Sequence, residues 1–383
     1  MKYLFISLLI ASCLLTFGQH NESQIQHTKV FHEKGMYAGW PANHGIWIWD
    51  NEILVGFSKG YHKDMGHSKH NIDRDKPEVH LFARSLDGGA TWTIEDPSKK
   101  GLVSHGFSAG KARKDISKPK KLTQKINFKH PDFAMTLRSN SISAGSSWFW
   151  YSYDRGKSWD GPFELAQLKL KGTAARTDYL IDSEDQCTAF ITVAKANGEE
   201  GRIAAIRSKD GGMSWNFLSW IGDEPEGFAI MPASVRLSET DIIVAQRRRE
   251  ETQRFIALSL SKDNGRTWES LNNPVEDTGI GNPPAMIKLQ DGRLCLVYGY
   301  RADYESIQKG TKTSGIRALL SSDNGRTWSK EFVLRKDGSG QDIGYSRIVQ
   351  RKDGKIVIVY YFMDSITGPE RYIGSTIWTP PAE

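Results

Sequence analysis

Apolar residues along this chain come in short runs set off by polar turns, and nowhere in the long repeating stripe of a helix. The runs at 53–57, 189–193, 241–245, 294–298 and 356–361 carry β-branched and aromatic residues after turn-forming stretches, which predicts strands. Downstream of each of the first four comes an eight-residue pattern that occurs five times in all. It reads Ser85-Leu86-Asp87-Gly88-Gly89-Ala90-Thr91-Trp92 at its first appearance, and its counterparts begin at Ser152, Ser208, Ser261 and Ser321. Each copy is a turn with a mechanism. The Asp bonds the backbone ahead of it, the Gly (Gly89, Gly156, Gly212, Gly265, Gly325) supplies a positive φ, and the closing Trp anchors the loop. The copies stand about 60 residues apart, slightly more than the usual four-stranded blade repeat. Such repetition predicts a radial array of small antiparallel sheets, a β-propeller.

The pattern is the Asp box, and the chain resembles the sialidase superfamily across nearly its whole length. The resemblance implies an all-β fold: a six-bladed β-propeller of four-stranded antiparallel blades. It also implies that Asp87, Asp154, Asp210, Asp263 and Asp323 are structural, on hairpins between outer strands and away from the central funnel. The last hairpin, at Asp353-Gly354, has no box after it, and a single strand-like run, 371–378, follows. An N-terminal strand near 28–32 is therefore expected to complete the sixth blade and close the ring.

Lys2 followed by an apolar stretch at 3–17 and small Gly18 reads as a secretory signal, leaving 19–383 as one domain in a secreted or periplasmic protein. Lipidation at Cys13 is the weaker alternative, because the apolar run continues through Leu14, Leu15 and Phe17. No other run is long enough for a membrane span. Cys187 and Cys295 fall in apolar strands of different blades and are expected as buried free thiols, too few to build a metal site. The net charge of +6 comes without a nucleic-acid-binding module and fits an acidic glycan as partner. The segments 62–76 and 99–129 read as polar loops, with a basic run at 111–125. The histidines His62, His67, His70 and His80 lack a regular ligand spacing, so neither a metal nor a cofactor is assigned.

Sialidases clamp the substrate carboxylate with three arginines and use a Tyr nucleophile activated by Glu, with an Asp as general acid. The resemblance carries the third clamp to Arg317 in Gly315-Ile316-Arg317-Ala318. The second goes to Arg248 within Arg247-Arg248-Arg249, and the nucleophile position to Tyr345 in Gly344-Tyr345-Ser346. Three departures stand beside these matches. Trp40-Pro41-Ala42-Asn43-His44-Gly45 has no Arg where the first clamp belongs. Ile230-Met231-Pro232-Ala233-Ser234 has no carboxylate where the activating Glu belongs, and Tyr361 stands where a further Glu does.

A funnel with Arg, Tyr and His but few carboxylates suits proton abstraction at C5 of a uronate. Arginine neutralises the sugar carboxylate, and His or Tyr moves the protons of a β-elimination, as in a lyase or dehydratase. His44 and Tyr345 are the candidate proton-transfer groups. Arg248 and Arg317 are the candidates for the carboxylate, with Arg176, Tyr179, Asn282 and Arg301 as further substrate contacts at inner strand ends. Trp40 and Trp47 are candidates for a sugar-stacking platform, or else core anchors. Hydrolysis of a terminal acidic sugar and non-catalytic glycan binding are the alternatives.

Overall fold

The computed structural model describes residues 25–67, 69–103, 117–141 and 145–382; the expected signal segment and the first part of the basic run, 111–116, lie outside them. Six antiparallel sheets follow one another along the chain as blades. The strands expected from the apolar runs are the second strands of their blades, Glu52–Tyr61, Cys187–Ala194, Ile242–Glu250, Leu294–Tyr300 and Ile356–Phe362. The sixth blade combines Gly344–Gln350, Ile356–Phe362 and Tyr372–Trp378 with the N-terminal strand Ile25–Phe31 on its outer edge, so the ring closes as expected. The second blade departs from four strands. Among the described residues it has three, Ala134–Ser139, Ser147–Ser152 and Asp160–Glu164. Cys187 and Cys295 are buried free thiols. Among the described residues no helix is long and apolar enough to cross a membrane.

The boxes hold the ring together. In the first, Ser85 Oγ donates to Asp87 Oδ1 (2.8 Å) and accepts from Gly89 N (2.7 Å), and Thr91 N donates to Asp87 Oδ1 (2.9 Å). The Trp92 indole then closes the turn on Gly89 O at 3.0 Å. Hydrogen bonds from Thr91 hold the Asp87 carboxyl down at about 2, so the turn is tied to an ionised side chain. The box glycines also touch neighbouring blades. A Cβ on Gly156 would lie 2.4 Å from Leu54 of the first blade, and one on Gly325 would lie 2.6 Å from Ile243 of the fourth. At Gly89 it would meet Val357 of the sixth blade, across the seam.

Gly325 has φ +86 and a neighbour in contact, whereas Gly354 has φ +83 and open space around it. Gly354→Ala is expected to cost about 1 kcal/mol, from backbone strain alone. Gly325→Ala is expected to cost about 2–4 kcal/mol, because overpacking of Ile243 is added. Urea denaturation of the two variants measures the difference.

Candidate active site

Four blades break their inner strands around the axis, and the breaks build the site. In the first blade the strand is split into Met36–Gly39 and Ile46–Trp49 by a 3-10 turn at Pro41–Asn43. In the third, Thr173–Ala174 and Tyr179–Ile181 flank a gap that holds Arg176, Thr177 and Asp178. In the fourth and sixth, the ladders shift register between Ile230 and Ala233 and between Gly344 and Arg347. Three non-glycine residues at these breaks are left-handed: Trp40 (φ 60), Met231 (φ 53) and Tyr345 (φ 50). Such backbone persists only where its surroundings impose it. At Tyr345 the imposing group is Asn282, fully buried. Its Nδ2 donates to Ile343 O and its Oδ1 accepts from Tyr345 N, both at 2.8 Å. Asn282 is thus a positioning residue, with no surface left for a substrate.

Tyr345 opens on a cavity of about 620 Å³ lined by His67, His70, Arg247, Arg254, Arg301 and Tyr304, with Asp303 and Glu305 as its carboxylates. Arg247 Nη1 donates to the phenol oxygen at 3.0 Å. Gly281, at φ +98, lets Arg247 and Arg254 come together; a Cβ there would lie 3.1 Å from one and 3.2 Å from the other. Neither arginine has a carboxylate in the ion pairs of the described residues. Burial, and then the charges of Arg249, Arg247 and Arg301, lower the affinity of Arg254 for its proton, as crowded cations require.

His70 stands across the cavity, its ring at 82° to that of Tyr345 with centroids 6.5 Å apart. Its Nδ1 lies 2.6 Å from Asp342 Oδ1. Asp342 also accepts from the hydroxyls of Tyr37 (3.1 Å) and Tyr361, with Arg371 at 3.3 Å and Arg301 at 3.7 Å. Burial alone would raise the Asp342 carboxyl. His70, Arg371 and Arg301 outweigh it and hold the group well below the usual carboxylate range. An ionised Asp342 only accepts, so Nδ1 of His70 carries a proton and Nε2 is the nitrogen left for a ligand.

The other sequence candidates lie elsewhere. His44 is fully buried, bonded to Ser58 Oγ at 3.0 Å and edge-on to His80 at 4.5 Å. Burial and Arg138 push its pKa well below the ordinary value, so it is a neutral core residue out of reach of a substrate. Arg317 belongs to the third strand of its blade, Ser314–Ser321, where it stacks 4.0 Å over Tyr300 and pairs with Glu331 at 2.6 Å. Arg248 is paired with Glu250, and strand alternation turns its neighbour Arg247 to the cavity instead. Arg176 is buried on Glu200 and Asn43, and the Tyr179 hydroxyl accepts from the Trp47 indole and Met135 N. Arg301 lines the cavity, but its Nε and Nη1 are spent on the carbonyls of Gln341 and Gly281. Trp40 is buried against Tyr37 and His70, a core anchor. Sequence reasoning missed the roles of His70, Asp342, Arg247 and Arg254. The only signals were the histidine-rich loop and the three-arginine run. The loop histidines do not converge: among the described residues no group of three metal-ligating side chains forms, and His67 stacks on Tyr304 at 3.9 Å.

Residues 202–358 match the model of the BNR repeat-like domain. No curated protein matches the chain. Among solved structures it is similar to a protein of unknown function from Dyadobacter fermentans, at 19% identity and a TM-score of 0.68 over 94% of this chain and 100% of that one. It is also similar to the Hadza microbial sialidase Hz136, at 14% identity and a TM-score of 0.61 over 90% of this chain and 66% of that one. A third is the Penicillium chrysogenum α-L-arabinanase complexed with arabinobiose, at 13% identity and a TM-score of 0.56 over 92% and 97%. In fold, the chain is a sialidase-like β-propeller.

Removing the Asn282 carboxamide leaves Ile343 O and Tyr345 N buried and unpaired. Asn282→Ala is expected to lose about 2–4 kcal/mol of stability, read by urea denaturation.

Proposed function

We propose that the chain is an enzyme acting on glycans that carry an acidic sugar, with the Tyr345 cavity as its active site. The observation that carries this reading is the pair Arg247 and Arg254, cations without carboxylate partners beside a phenol and an aspartate-bound imidazole. An anionic ligand would relieve their mutual repulsion, and two guanidinium forks suit a sugar carboxylate.

The reaction these groups support best is β-elimination from a uronate. Nε2 of His70 takes the C5 proton, and Asp342 stabilises the imidazolium that results. The electron pair of the C5–H bond becomes the C4–C5 double bond, the C4–O bond breaks, and Tyr345 gives its proton to the departing oxygen. Arg247, already donating to that phenol, steadies the charge left on it. Negative charge developing on the substrate carboxylate falls to the arginines. His44 and Arg317, the sequence candidates for proton transfer and carboxylate binding, have no part in this scheme; His70 and Arg247 take their places.

Hydrolysis of a terminal acidic sugar is the second reading. It is favoured by the placing of an Arg-bound tyrosine at the start of the sixth blade's inner strand, and by the sialidase and arabinanase among the similar folds. Against it, Met231 and not a carboxylate occupies the fourth-blade break, and no Asp or Glu hydrogen bonds to the Tyr345 phenol among the described residues.

With uronate oligosaccharides, elimination is expected to produce the ultraviolet absorbance of an unsaturated product. His70→Ala and Tyr345→Phe are each expected to lower kcat by about 10²–10⁴-fold. Arg247→Ala is expected to weaken transition-state and substrate binding together. Release of a reducing sugar without that absorbance would replace elimination by hydrolysis, and turnover unaffected by all three substitutions would remove the assignment of the site.

A further inference from the structure

Arg247 and Arg254 are two members of a set of three. Arg249 follows Arg247 on the strand Ile242–Glu250, projects to the same face, and stands directly opposite Arg254 in the ladder. Both Arg249 and Arg247 lie over the Phe228 ring, 4.7 and 5.4 Å from its centroid. Like charges directly opposite on antiparallel strands repel. Nothing internal relieves this pair: Glu250 is taken by Arg248 on the other face, and none of the three arginines has a carboxylate partner among the described residues. After burial, the charge of Arg249 does most to lower the affinity of Arg254 for its proton, ahead of Arg247 and Arg301.

The cations are also reachable. Arg254 gives Nη1 to Thr252 O at 3.0 Å, and the Arg249 guanidinium donates no hydrogen bond among the described residues. Both side chains are half-buried, and their uncommitted nitrogens keep accessible surface, unlike Nε of Arg247, which is sealed. Arg249 does not line the Tyr345 cavity but stands beside Arg254, which does. Two residues along a strand span about 7 Å, the scale of one sugar unit. One carboxylate on the reacting sugar offsets only one of three positive charges. We infer that Arg249, sharing Arg254 with the cavity, binds a second anionic group on the sugar next to the reacting one, a sulfate ester or a carboxylate. The preferred glycan then carries negative charge on adjacent sugars. This inference rests on the reading of the Tyr345 cavity as the site of an acidic sugar. Guanidinium forks suit either anion, and the Phe228 face supports two of them before a ligand arrives.

Binding is measured by calorimetry on the full chain carrying Tyr345→Phe, which slows turnover. Two matched pairs serve as probes: glucuronosyl-N-acetylgalactosamine with and without a 6-O-sulfate, and digalacturonate with and without a methyl ester on one carboxyl. The doubly charged member of at least one pair is expected to bind about tenfold more tightly, and the pair that shows it tells sulfate from carboxylate. Adding Arg249→Ala is expected to abolish that preference, whereas adding Arg247→Ala is expected to weaken every member. The inference is overturned if neither pair shows a preference, or if the preference survives Arg249→Ala. Should Arg247→Ala still weaken binding in those cases, the cavity stands as the acidic-sugar site and only the role of Arg249 falls. If no member binds, or Arg247→Ala binds as well as its parent, the reading of the cavity fails and this inference fails with it.

Discussion

The candidate site depends on one peptide unit, the Gly344–Tyr345 step held left-handed by the carboxamide of Asn282. A tyrosine at φ 50 strains its own Cβ, at a cost of roughly 1–2 kcal/mol. Both faces of Asn282 are committed to that step, and a Cβ on Gly344 would come within 2.3 Å of its Nδ2. A regular inner strand would send residue 345 along the ladder. The bulge turns it out to meet Arg247 from the fourth blade and His70 from the first. Side chains of three blades thereby meet at one cavity, and Arg301 and Tyr304 of the fifth blade complete its lining.

The cavity is unbalanced in charge only around Arg247 and Arg254, since its carboxylates Asp303 and Glu305 bond to Ser306 and Lys309 instead. Asp342 gathers His70, Arg301, Arg371 and two phenols into a satisfied network. Burial, and then the Asp342 charge, push the Tyr37 and Tyr361 hydroxyls well above the ordinary phenol value, so they remain donors to it. That network neutralises one flank. Arg247 and Arg254 on the other flank have no such partner, and burial, then the neighbouring arginines, lowers the affinity of Arg254 for its proton. Repulsion of this kind is retained in a fold only at some cost in stability, and an anionic ligand removes it.

What the sequence could show divides along physical lines. The boxes are local turn chemistry, written within eight residues, so the blades, the ring closure by residues 25–31 and the structural role of the five aspartates were legible. Tyr345 was singled out through the likeness of Gly344-Tyr345-Ser346 to the sialidase nucleophile position; the register shift beside it was not read. Choosing Arg248 over Arg247 needed the strand register, and a one-residue slip exchanges the two faces of a strand. Arg317 was misread because its local motif does not say which strand of the blade carries it; the third strand faces away from the axis. His70 and Asp342 meet across 272 residues of sequence, and no short pattern records that contact. His44 misled for the opposite reason, since a histidine beside a tight turn looks the same whether it faces a cavity or, as here, the core.

The broken inner strands explain how such a scaffold changes its chemistry without losing its fold. Cohesion between blades resides in the box turns, where glycines touch the neighbouring blade, and in the regular middle strands. The breaks at Trp40, Met231 and Tyr345 lie on the inner edges of their sheets and carry none of the box contacts. A carboxylate can therefore give way to Met231, or an arginine to the 40–45 turn, while the hydrogen bonds that close the ring stay in place.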